Sequence, residues 1–250
     1  MIVVINPSGA GGHSFKGLHT YAAHDSGRKQ SAERVEWMDT RNLDASPDQA
    51  WKLMANTAQM QNELKKASGQ RVGRPVKDGP VLHVVLAFDA DEPQDEDAMR
   101  SAADEFLSKL GKTVTLKTGK RRQFADEHQT IMYAHNDGRN GANHLHLMIN
   151  KVHPETGLNL PDGNNHLEAQ NWALAYSKKH GTAHKTPARE ENRTDRERGQ
   201  YVKHPTRMPK NVYELEQKLK AKVAHDHDPL QQIRACLLYT SDAADDSMRV

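Results

Sequence analysis

The chain opens on an apolar run, Ile2-Val-Val-Ile5, which is ended by Asn6-Pro7 and a glycine-rich turn, so residues 1–6 are predicted as a strand. A short helix follows over about 15–25. A longer one has its start chemistry at Ser46, with Pro47 at the first helical position and Asp48 behind it. Its apolar positions, among them Trp51, Leu53, Met54, Ala58 and Leu64, keep mostly helical spacing to Ser68-Gly69. Residues 70–79 read as a basic loop punctuated by glycine and proline. Residues 81–88 form an apolar run rich in β-branched residues, the pattern of a central strand.

Residues 95–110 are amphipathic, acidic at the start and closed by Gly111, and predict another helix. Two strands are expected over 128–135 and 144–152. The polar, glycine-bearing segment 136–143 between them makes a hairpin the economical connection. A last well-marked helix spans 166–180 and stops at Gly181. Residues 185–210 hold eight basic and four acidic residues with little apolar content, and 212–223 has the pattern of a further helix. This order predicts an α+β fold: an antiparallel sheet with helices packed mainly on one face.

Composition changes the picture only modestly. Of 250 residues, 36% are hydrophobic, 5% aromatic and 27% charged, enough for one core with much of the chain solvated. No apolar run has the length of a membrane span, and the first strand lacks the basic flank of a secretory signal, so no membrane insertion and a cytoplasmic protein are expected. The net charge of +2 leaves room for a local basic face. With Cys236 as the single cysteine, an intramolecular disulfide and a cysteine-based zinc site are excluded.

The final stretch reads differently from the rest. Residues 236–246 back-translate into a sequence resembling the adapter of transposase-based sequencing libraries, so 236–250 is expected to be an artefact of an interrupted gene. Without it the chain loses Asp242, Asp245, Asp246 and Arg249, and the net charge becomes +4. The expected organisation is a nuclease-sized domain over 1–184, a basic linker or arm over 185–211, and the start of a helical region over 212–235.

Candidate chemistry concentrates in His135-Asn-Asp137 and His144-Leu-His146. Side chains alternate along a strand, so His144 and His146 share one face while Leu145, Leu147 and Ile149 point to the core. His135 on the partner strand can bring a third imidazole, and Asp137 can orient a ligand ring through its second nitrogen. Three imidazoles leave positions open on a divalent cation for substrate oxygens. Spacing alone leaves surface histidines and a metal site about equally open. A second feature is Ser14-Phe-Lys-Gly-Leu-His-Thr-Tyr21, a short helix with one tyrosine. A tyrosine hydroxyl can attack a phosphodiester, though a packing role for Tyr21 is the commoner one.

Together these segments resemble the mobilisation relaxases, members of the superfamily named for a His-hydrophobic-His metal motif. Ser14-Phe-Lys-Gly-Leu-x-x-Tyr21 is similar to their first motif, which carries the nucleophile. Leu82-His-Val-Val-Leu-Ala-Phe88 resembles the strand entering the active site, and His135-x-Asp137 with His144-Leu-His146, Asn150 and Val152-His-Pro154 is similar to the metal motif. The resemblance runs over about 2–181.

It implies a relaxase that nicks one strand of single-stranded DNA at an origin of transfer. Tyr21 would be the nucleophile, and Mg²⁺ or Mn²⁺ would sit on His135, His144 and His146, with Asp137 orienting. It also implies accessory relaxosome proteins and a type IV secretion coupling protein as partners, with possible delivery into a recipient cell. Lys16, Arg28, Arg71, Arg74 and Lys77 are candidate phosphate contacts, though for any one alone a solvated surface charge is the commoner role, and His83 is open about equally between a DNA contact and a structural histidine. A rolling-circle replication initiator or single-strand transposase is the alternative enzyme. In those the tyrosine generally follows the histidines, whereas Tyr21 precedes them. A non-catalytic, metal-stabilised DNA-binding module is the alternative from another class.

Overall fold

The computed structural model describes residues 1–5, 14–24, 33–73, 76, 79–116, 119–138, 142–161, 165–185, 194, 195 and 197–199. The chain divides into two compact units, Met1–Thr194 and Asp195–Val250. Every element named below belongs to the first. The predicted helix over 212–223, the stretch 236–250 expected to be an artefact, and most of the expected basic arm lie outside the described residues, as do Arg28, Arg74 and Lys77.

Five strands make one antiparallel sheet in the order β1-β3-β7-β6-β2: β1 Ile2–Ile5, β2 Val35–Arg41, β3 Val81–Ala87, β6 Thr130–His135 and β7 His144–Asn150. β4 (Gly111–Leu116) and β5 (Gly119–Phe124) form a separate hairpin. The helices are α1 Phe15–Ala23, α2 Pro47–Gln59, α3 Gln61–Ala67, α4 Glu96–Leu107 and α5 Asn165–Lys179. This is the expected α+β architecture.

Strand alternation divides the core in two. Leu82, Val84 and Leu86 of β3, Met132 and Ala134 of β6, and Leu145, Leu147 and Ile149 of β7 point to one face. There they meet Met99, Ala103 and Phe106 of α4 and Trp172, Ala173 and Tyr176 of α5. Val81, Ile131, Tyr133 and Met148 point the other way, against Phe15, Leu18 and Ala22 of α1 and Ala50 and Met54 of α2. The helices are thus shared between the faces. α1 and α2 cover part of the same face that carries the histidines.

Local chemistry accounts for the starts of three helices. Ser14 accepts a hydrogen bond from the Gly17 amide (3.0 Å) and starts α1, and Asp95 does the same for α4 through the Ala98 amide (3.0 Å). Ser46 stands at the cap of α2 without a side-chain bond, and Pro47 supplies the start.

Three elements differ from expectation. The single helix expected over 46–69 turns at Met60 into α2 and α3, because Gln61 is drawn inward to donate to the Gly157 carbonyl (3.0 Å) and to Asn159. That polar anchor leaves no trace in an apolar pattern. β2 was not expected: as an edge strand it is only half-buried, so Val35-Glu-Trp-Met-Asp-Thr-Arg41 lacks clean alternation. Nor was the β4–β5 hairpin. Gly111 has φ 117° and opens β4, so it does not close α4, which ends at its cap Ser108.

Candidate metal centre

The β6–β7 hairpin has the register His135↔His144 at its turn end, with Tyr133 opposite His146 two pairs further in. Alternation then puts His135, His144 and His146 on the α1 side of the sheet. One ring nitrogen from each lies within 4.8 Å of the others, an arrangement that can hold a metal ion. The ring centroids of His135 and His144 are 5.0 Å apart and those of His135 and His146 4.5 Å.

Hydrogen bonds decide which nitrogens face the centre. His135 Nε2 is 2.7 Å from the Ala22 carbonyl, which can only accept, so Nε2 carries the proton and Nδ1 keeps its lone pair. That Nδ1 is 3.2 Å from His144 Nε2. His146 directs Nδ1 to His83 Nε2 at 2.8 Å, which leaves its own Nε2 for the cluster. Backbone carbonyls and neighbouring acceptors that hold ligand imidazoles in this way are a regular part of metal sites.

Burial lowers the proton affinity of all three. His135 falls to about 4, with the Arg34 charge adding to the burial effect, and His146 and His144 are lowered too. At neutral pH the rings are uncharged, the form a cation requires.

Asp137 does not take the orienting position expected for it. The second nitrogen of His135 is already held by Ala22. Asp137 instead lies on the cluster side, with Oδ1 4.0 Å from His135 Nδ1 and 3.7 Å from His144 Nε2. His83, open in the sequence between a DNA contact and a structural role, is buried at 4% exposure and stacked on His146 with centroids 5.1 Å apart. It packs on a ring of the histidine cluster and is almost wholly covered.

Tyr21 stands in the last turn of α1, 38% exposed, with its ring 5.7 Å from that of His146 and 6.3 Å from that of His83. α1 is docked on the sheet by Leu18 and by a 3.0 Å bond between His19 and the buried Tyr133 hydroxyl, and this sets where Tyr21 arrives. Lys16 is exposed in the first turn of the same helix, beside a groove lined by Trp51, Ala55, Ala58 and Pro80. Arg71 is exposed ahead of β3. Neither cation is among the groups in contact with the histidines.

Sequence reasoning missed Arg34. It precedes β2, and its side chain is only 12% exposed, between the end of α1 and Asp137. The one available signal was a basic residue heading an unrecognised strand.

A family model described as "Relaxase: MobA/VirD2-like, nuclease domain" matches residues 21–182. No curated protein matches the chain. Among solved structures, a metal-bound conjugative relaxase TrwC in complex with oriT DNA is similar at 8% identity and a TM-score of 0.39, covering 74% of this chain and 70% of that one. A metal-free TrwC–oriT complex is similar at 8% identity and a TM-score of 0.37, covering 74% and 69%. TrwC with a 27-mer DNA comprising the recognition hairpin and the cleavage site reaches 0.30 at 8% identity, covering 60% and 69%. The family rests on the model match, which takes in well over half of the chain: this protein belongs to the MobA/VirD2-like relaxase nuclease-domain family.

Proposed function

We propose that this chain nicks one strand of DNA at an origin of transfer, with Tyr21 as the nucleophile, and later rejoins it. The observation that carries the reading is the Tyr21 ring packed 5.7 Å from the ring of His146, beside three convergent imidazoles. A phenol placed at a metal-competent cluster suits phosphoryl transfer, where positioning and charge neutralisation supply most of the rate.

His135 through Nδ1, and His144 and His146 through Nε2, fit a divalent ion: the donor set converges, and two of the rings are held from behind. Mg²⁺ or Mn²⁺ is the proposed ion, and when bound it neutralises the non-bridging oxygens of the scissile phosphate. The Tyr21 hydroxyl oxygen attacks phosphorus, and the bond from phosphorus to the 3′ oxygen breaks. The products are a 5′-phosphotyrosyl link and a 3′ hydroxyl. Asp137, 44% exposed beside the cluster, is the proposed acceptor of the phenolic proton. The covalent ester retains the energy for religation, so no nucleotide cofactor enters.

Single-stranded DNA carrying an origin of transfer is therefore the proposed partner, with relaxosome accessory proteins and a secretion coupling protein in the cell. Lys16 and Arg71 remain proposed phosphate contacts. No described helix is long and apolar enough to cross a membrane.

The test is a nicking assay on labelled single-stranded origin oligonucleotides with Mn²⁺, comparing wild type with Tyr21→Phe on denaturing gels with and without protease. A protease-sensitive adduct that needs both metal and Tyr21 is expected. Undiminished cleavage by Tyr21→Phe would remove Tyr21 as nucleophile and leave a water-using nuclease.

A further inference from the structure

Three carbonyls at the end of α1, those of Tyr21, Ala22 and His24, are taken by two side chains from elsewhere in the fold. Arg34 donates through Nη2 to the Tyr21 carbonyl and through Nε to the His24 carbonyl (3.0 Å). His135 donates to the Ala22 carbonyl at 2.7 Å. A helix end leaves its last carbonyls without intrahelical partners and carries partial negative charge. α1 has no basic residue of its own in the last turn. Arg34 supplies that missing cation across 13 residues of sequence.

The same guanidinium does two further things. Its central carbon lies 5.5 Å from the centre of the Tyr21 ring, so it faces the phenol itself. Its Nη1 is 3.6 Å from Asp137, the carboxylate beside His135 and His144. Arg34 is in turn fixed by its backbone, whose carbonyl accepts from the Asn136 amide at 3.0 Å, next to His135. Only a planar fork with several donors can serve two carbonyls, a ring face and a carboxylate from one position.

We propose that Arg34 is a positioning residue that locks the last turn of α1, and with it the Tyr21 phenol, in register with the histidine cluster. The proposal rests on the reading of Tyr21 as nucleophile, and it adds a residue that neither the motif pattern nor the metal cluster contains. Arg34 touches no substrate in this role. It fixes the attacking oxygen by holding the turn that carries it and by anchoring Asp137 on the other side.

Two measurements on the full chain separate this proposal from the function it serves. The first is hydrogen exchange on metal-free protein. In Arg34→Ala, amides in the last turn of α1 should exchange roughly tenfold faster, while those of β7 stay unchanged. Unchanged exchange in α1 overturns the clamp, whatever the protein does to DNA.

The second is single-turnover adduct formation with Mn²⁺. Here Arg34→Ala should be slower by about 100-fold, with oligonucleotide affinity kept within about threefold, because misplacement of a reacting group acts on the chemical step. Millimolar guanidinium should restore part of the rate and ammonium none, and Arg34→Lys should stay slow. A loss of rate matched by an equal loss of affinity would make Arg34 a DNA contact and overturn the positioning role. If wild type forms no adduct, the tyrosine-nuclease reading fails, and the exchange measurement still judges the clamp.

Discussion

His83 and His146 share a short contact between ring nitrogens, and its consequence can be argued from proton inventory. If His146 offers Nε2 to a cation, its Nδ1 carries the proton and His83 must accept it at 2.8 Å. Burial holds His83 at about 4, with the nearby His135 adding to the effect, so the ring is neutral and able to accept at pH 7. His83→Phe removes the acceptor at similar volume and should weaken Mn²⁺ binding by roughly 10–100-fold in calorimetric titration, with His83→Gln intermediate. Loss of oligonucleotide affinity with metal affinity intact would give His83 the DNA-contact role that the sequence left open.

A second histidine tests burial without metal. His128 is held at about 4 chiefly by burial, against a hydrogen bond to the Asn150 carbonyl (2.8 Å) that pulls the other way. The unfolded chain takes up its proton near 6.5, so between 6.5 and 4 the unfolded state binds more protons and stability falls as pH drops. The contribution is fully present above 6.5 and lost towards 4, by about 2 kcal/mol at pH 5. Urea unfolding of chelated protein at pH 7 and pH 5 should show that loss shrinking by this amount in His128→Leu. An unchanged difference would mean that His128 titrates normally.

At this scale the triad was legible because strand alternation converts a His-x-His spacing directly into a shared face. The Arg34 fork and the Ala22 acceptor were not, since each depends on where another element's backbone arrives.

Between elements, legibility followed how local the cause was. α1, α4 and α5 carry caps, acidic first turns or closing glycines within their own few residues, and β3 and β7 carry dense apolar runs. The break between α2 and α3 has a remote cause: the segment after β7 pulls Gln61 inward, and Lys65 is buried beside it. Gly157 makes that approach possible. It sits at φ 65°, and a Cβ there would lie 2.5 Å from the Gln61 carbonyl oxygen and 2.9 Å from the Lys65 nitrogen, both backbone atoms that cannot swing aside. Gly157→Ala therefore combines a positive-φ penalty with a clash against α3, and should lower stability by about 2–3 kcal/mol in urea unfolding. A change near zero would show that α3 and this segment move apart freely. β2 and the β4–β5 hairpin escaped sequence reading for a related reason: edge strands and isolated hairpins need no strict apolar alternation.

For the molecule as a whole, only the β6–β7 neighbourhood could be read in advance, because a short polar turn enforces it. The order β1-β3-β7-β6-β2 joins strands far apart in sequence, such as Val4 with Val85, and no local pattern selects that pairing. The topology has a thermodynamic result. It brings β6, β7 and the end of α1 to one point, since His135 bonds Ala22 while its other nitrogen faces the cluster. Unfolding separates these imidazoles, so a cation bound to them would stabilise the fold by mass action. Mn²⁺ at 100 times its dissociation constant should add about 2.7 kcal/mol to unfolding free energy, and chelator should remove it. The increment should grow with the logarithm of metal concentration and be lost in His146→Ala, which removes one ligand while its backbone stays paired within β3-β7-β6. A stabilisation that survives His146→Ala in full would place the metal elsewhere, and with it the chemistry assigned to Tyr21.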